Sequence, residues 1–118
     1  MQETIKSIIE WHEQTFPDAT MEGQCDKFKE ELDEYIKEPS AYELADMFIV
    51  ACGVARFDYI RAALCFSTVW EVYQKASFII LTKSDFDKAI NEKMAKNRKR
   101  VWNKTAEGTY HHKNGIED

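Results

Sequence analysis

Apolar residues recur at helical spacing along almost the whole chain, and short polar breaks divide them into five segments. Ile5, Ile8, Ile9 and His12 predict a first amphipathic helix from about Gln2 to Thr15, stopped by Phe16-Pro17-Asp18. A second begins near Met21 with Thr20 as N-cap, its stripe made of Cys25, Phe28, Leu32, Tyr35 and Ile36. Glu38-Pro39-Ser40 ends that helix and caps a third, which runs to about Arg56. From Leu44 to Ala55 the third segment is apolar or small nearly all round, the mark of a buried helix. Phe57-Asp58-Tyr59 reads either as a turn or as a continuation.

Ala62, Phe66, Val69, Tyr73, Ala76 and Ile80 give a fourth helix. Periodicity alone would let Phe78-Ile79-Ile80-Leu81 be a short buried strand, but its helical surroundings favour helix. A fifth helix is predicted from a Ser84 cap through Arg100. Asp85 and Asp87 lie in its first turn and Lys99 and Arg100 in its last, the order the helix dipole favours. Residues 103–118 read as a polar, extended tail. Short connections favour antiparallel neighbours, so the prediction is one all-α domain over residues 1–118, a bundle of four or five helices without a functional sheet.

Composition agrees. At 118 residues, 44% hydrophobic and 13% aromatic, the chain can bury a modest core, and four Gly and two Pro leave room for long helices. A net charge of −5 argues against a dedicated nucleic-acid binder. No apolar run approaches the roughly 20 residues that span a bilayer. The acid-containing amphipathic N-terminus is unlike a signal peptide. Cys25, Cys52 and Cys65 lack metal-ligand spacing and read as reduced core thiols of a cytosolic protein.

The candidate chemistry is acidic. Glu31 and Glu34 are three apart on the second helix; Glu43 and Asp46 repeat that spacing on the third. Residues three apart share a helix face, so antiparallel packing through the Pro39 break can bring both pairs to one point. Four carboxylates at one point call for a divalent cation, and oxygen ligands suit Mg²⁺ or Mn²⁺. Asp46 is the only charged residue of its apolar run, and a buried carboxylate must be protonated, paired or metal-bound. Glu43 has a second reading, because Ser40-Ala41-Tyr42-Glu43 is a capping-box sequence. Glu30 either orients a water at the site or faces solvent.

The fifth helix supplies the opposite charge. Lys93, Asn97 and Arg100 continue the face of Phe86, Ile90, Met94 and Val101, which sets Asn97 in an apolar stripe where it needs a polar partner. Lys96, Arg98 and Lys99 read as a solvated cluster that answers the helix dipole. Acids at one end and basic donors at the other suit a polyphosphate, which needs both. No GxxxxGK[ST] or GxGxxG is present, so a glycine-rich loop does not hold it. His12 reads as a hydrogen-bonded core residue, Trp102 as a packing anchor, and His111 and His112 as part of the tail.

With these residues in hand, the chain resembles the small MazG-like nucleoside triphosphate pyrophosphohydrolases of the all-α NTP pyrophosphatase superfamily. The likeness rests on Glu30-Glu31-Leu32-Asp33-Glu34 followed by Glu43-Leu44-Ala45-Asp46, the EExxE and ExxD signature. Trp11 through Thr20 resembles the family's lead-in, Lys93 through Trp102 its K-x-x-x-N-x-x-R-x-W element, and Glu107 through His112 the tail after it. The spacer from Glu34 to Glu43 is shorter than is usual there. The resemblance implies Mg²⁺-dependent cleavage of (deoxy)nucleoside triphosphates to monophosphate and pyrophosphate, with Mn²⁺ as a possible substitute. It implies metal ligation by Glu31, Glu34, Glu43 and Asp46, catalytic roles for Glu30 and Glu31, and phosphate contacts from Lys93, Asn97 and Arg100. It also implies a homodimer or homotetramer in the cytoplasm of a bacterial or phage-infected cell, in nucleotide-pool housecleaning. Ile8, Trp11 and Phe16 would lie near an apolar base pocket, whose discrimination is weak. A rival reading is a non-catalytic helical module that binds a partner or a nucleotide.

Overall fold

A computed structural model describes residues 2–77, 82–100, 102–104 and 110–112. Among them are five helices, α1 (Ile5–Thr15), α2 (Met21–Lys37), α3 (Ala41–Ala55), α4 (Tyr59–Ser77) and α5 (Lys83–Lys99). The protein is an all-α bundle. A ribbon of two three-residue strands, β1 (Trp102–Lys104) and β2 (Tyr110–His112), follows α5, antiparallel with Trp102 opposite His112. Part of the tail that the sequence reads as merely extended is thus paired. Phe78–Leu81 and the rest of the tail lie outside the described residues.

α3 is the axis of the bundle, packed by α1, α2, α4 and α5. That arrangement explains its composition: a helix with neighbours on every side has no solvent face to make polar. Leu44, Ala45, Met47, Ala51, Cys52 and Val54 of α3 are all fully buried. One core cluster joins Ile8, Trp11 and Phe16 to Ile49, Ile90 and Met94; a second joins Phe28 to Leu44, Met47 and Val69.

Local chemistry sets the helix ends. The hydroxyl of Thr20 accepts from Gly23 N–H, and that of Ser40 accepts from Glu43 N–H. Arg56 and Phe57 form a turn, and the Asp58 carboxylate accepts from Ile60 and Arg61 N–H to start α4. Two predicted starts move. α1 begins at Ile5 because Thr4 and Ser7 form a capping box. α5 is capped by Thr82, not Ser84: Thr82 accepts from Asp85 N–H while the Asp85 carboxylate accepts from Thr82 N–H. Only the residue with extended backbone outside the first turn can make that reciprocal pair.

Two polar ties fix neighbouring helices. Arg98 stays exposed but forks onto Glu3 at 2.8 and 2.9 Å, tying α5 to the start of the chain. Inside the bundle, Arg56 donates to His12 Nδ1 at 3.1 Å and to the Phe16 carbonyl at 2.7 Å. Arginine can only donate, so Nδ1 accepts and the imidazole proton sits on Nε2, facing Gln24. Gly53 makes room for this: a Cβ there would stand 2.6 Å from Gln24 Oε1 and 2.9 Å from His12 Nε2.

Candidate functional site

Ser40 and Pro39 return the chain so that α3 packs along α2, and the two acidic segments meet. Glu31, Glu43 and Asp46 each offer a carboxylate oxygen, all within 4.8 Å of one another. Glu31 is 7% exposed, and its Oε2 is buried with no hydrogen-bond partner among the described residues. Oxygen donors gathered this tightly, one of them unsatisfied, could hold a hard divalent cation. Ser40 caps α3 by accepting from the Glu43 backbone N–H, and the Glu43 carboxylate lies in the acidic group.

Glu34 is exposed and stands outside the three-residue group, yet its carboxyl lies beside Glu31 and its charge reaches Asp46. Glu30 faces solvent. Of the four acids read as ligands, three therefore converge directly and the fourth flanks them.

Burial and crowding raise two carboxyls of the cluster. The Glu31 carboxyl is held well above the ordinary range, first by burial, then by its contact with Glu34 and the charge of Asp46. Lys27, one turn earlier at 3.6 Å, opposes that. Burial also lifts Asp46, although Lys93 and, more distantly, Arg100 pull it down.

The basic face of α5 comes to the same place. Lys93, 7% exposed, sets its Nζ 3.1 Å from Asp46 Oδ2. Asn97 is equally buried, and its Oδ1 accepts from Arg100 at 2.8 Å, which answers the need for a polar partner in that stripe. Arg100 also lies over the Trp102 ring at 5.7 Å, and the Trp102 indole donates to the Asn97 carbonyl. Trp102 packs edge-on against Trp11 and Phe16, the anchor that ties the end of α5 to α1.

The direct pairing of Lys93 with Asp46 was not foreseen in the sequence, which assigned the lysine to phosphate. Its signal was available: one cation in the apolar face of α5 and one anion in the apolar run of α3 each need a partner. Ile8, Trp11 and Phe16 are core residues with at most 8% exposure. Three acids, a buried lysine, an amide and a guanidinium on three helices can bind a cation and an anionic ligand side by side. No protein-family model, curated protein or solved structure matches this chain.

Proposed function

We propose that this protein is a Mg²⁺-dependent nucleoside triphosphate pyrophosphohydrolase of the MazG-like kind, which cleaves a (deoxy)nucleoside triphosphate to the monophosphate and pyrophosphate. The observation that carries this reading is the meeting of Glu31, Glu43 and Asp46 beside Lys93, Asn97 and Arg100. Glu31, Glu43 and Asp46 would hold the cation, with Glu34 joining from the flank of Glu31. A bound Mg²⁺ would neutralise phosphate charge and acidify a water for attack on the α-phosphorus. Lys93 and Arg100 offset charge on the departing pyrophosphate, and Asn97 orients the Arg100 guanidinium through its 2.8 Å bond. Glu30 lies on the solvent side of α2, where it can accept a proton from incoming water.

In the same reading the protein acts on the cytoplasmic nucleotide pool with relaxed base choice, as a homodimer or homotetramer. Tyr59, Ile60 and Leu64 of α4, 68–81% exposed, support self-association, since such residues are rarely left open together. No helix among the described residues is long and apolar enough to cross a membrane, which fits a water-borne substrate.

The test is pyrophosphate release across the standard dNTPs and NTPs with and without Mg²⁺. Asp46→Ala should lower turnover by at least about 10²-fold; unchanged turnover would overturn the metal assignment. One observation favours a second reading. Because Lys93 already neutralises Asp46, the cluster can stand without a cation, as in a non-catalytic module that binds a partner or a nucleotide. Silence across the whole panel, with Mg²⁺ binding intact by calorimetry, would select it.

A further inference from the structure

The outer face of α4 carries charge at its two ends and none in its middle. Ile60, Leu64, Ser67 and Glu71 follow one another at helical spacing on the side away from the core, in which Ala62 and Val69 are buried. Leu64 and Trp70 keep 68% and 58% of their surface exposed, and the small residues Ala63 and Ser67 beside them are exposed too. From Ala62 to Trp70 the helix bears no charged residue. Asp58 and Arg61 stand before that stretch, Glu71 and Lys75 after it, and all four reach solvent. Large apolar residues exposed together mark a contact surface. The order of the charges says which partner fits it.

We propose that a second copy of this chain docks on this face, α4 against α4 and antiparallel, about a two-fold axis level with Phe66. Arg61 and Glu71 each lie five residues from Phe66, so this arrangement sets Arg61 opposite the partner's Glu71. Asp58 lies eight residues before Phe66 and Lys75 nine after it. At about 1.5 Å of rise per residue, that mismatch is well within the reach of a lysine. The axis repeats both pairs, so opposite charges face each other at each end of the seam. A parallel pair in register would instead set Arg61 beside the partner's Arg61, and like charges so placed repel. Between the charged ends, Leu64 meets the partner's Thr68, and the Trp70 ring covers the partner's Ala63, whose small side chain leaves room for it. The exposed ion pairs set direction and register, while burial of Ile60, Leu64 and Trp70 supplies the affinity. This gives the self-association of the preceding reading a face and a direction, and it rests on that part of the reading alone.

Sedimentation equilibrium of the full chain at micromolar concentration should return a dimer. Leu64→Glu should return a monomer with unchanged far-UV circular dichroism, because the residue is exposed in the single bundle. Arg61→Glu and Glu71→Arg should each raise the dimer dissociation constant by at least about tenfold, since symmetry turns two attractions into two repulsions. The double variant Arg61→Glu/Glu71→Arg should recover wild-type affinity to within about threefold, because the charges again oppose in exchanged positions. The penalty of either single variant should shrink as salt is raised. A dimer that survives Leu64→Glu, or a double variant no tighter than the single ones, would overturn the α4 seam and leave self-association through another face standing. A monomeric wild type would overturn both. Pyrophosphate release reads nucleotide hydrolysis separately, so none of these outcomes is confused with a loss of activity.

Discussion

Replacing Lys93 by Met keeps most of the buried stem and removes the charge that faces Asp46. At 3.1 Å the pair attracts by about 5 kcal/mol at an effective dielectric of about 20. Much of that is offset by the desolvation of an ammonium whose side chain is only 9% exposed, a cost methionine does not carry. Asp46, with 21% of its side chain exposed, recovers part of the rest by hydration or by taking up a proton. The metal-free protein should therefore lose about 2 kcal/mol, at the low side of the roughly 3–5 kcal/mol seen when a fully buried pair is broken. Metal should narrow that difference. Without the lysine the acidic cluster is more negative, so Mg²⁺ should stabilise Lys93→Met more than it stabilises the wild type. Urea unfolding of both proteins, with EDTA and with saturating Mg²⁺, measures all four quantities. If Mg²⁺ stabilises the variant no more than the wild type, the lysine and the cation do not share the cluster. If the metal-free variant is as stable as the wild type, the Lys93–Asp46 pair contributes nothing net to the fold.

Glu31→Gln should leave metal-free stability within about 0.5 kcal/mol, because glutamine resembles the protonated carboxyl that burial favours, while the stabilisation by Mg²⁺ falls; an undiminished Mg²⁺ effect in thermal melts would remove Glu31 from the ligand set. Gly53→Ala should destabilise by about 1–2 kcal/mol, although helix propensity alone would stabilise by about 1 kcal/mol, since contacts of 2.6 and 2.9 Å force Gln24 and His12 to move. Chemical denaturation decides the sign, and a more stable variant would mean that the His12 network yields freely. His12 is held at about 4, first by burial and then by the Arg56 charge, against an ordinary 6.5. The unfolded chain therefore takes up its proton first as pH falls, and this contribution is complete above about pH 6.5 and lost through pH 4, up to about 3 kcal/mol. Glu31 and Asp46 drift the opposite way, so the effect is read as the difference between wild type and His12→Asn across pH 4–7, and a flat difference would refute it.

Much of the fold was legible because it depends on neighbours in sequence. Thr20 and Ser40 cap because each hydroxyl reaches the backbone N–H three residues on, and the nearly all-apolar run of α3 could only belong to a helix enclosed by others. The misplaced start of α5 was also local, but Thr82 and Ser84 are both good caps, and the choice depends on which residue leaves helical backbone. The candidate site divides along the same line. Spacing of three put Glu43 and Asp46 on one face and required a partner for Asp46, because charge burial is costly wherever it occurs. Periodicity gives the face of a helix but neither its rotation against the next helix nor its depth. Those decide that Glu31 is inside and Glu34 on the rim, that Lys93 is the partner of Asp46, and that Gly53 admits a histidine and a glutamine side chain. Each of these depends on which side chains fill one another's space after the helices dock, and that is a property of the packed bundle alone.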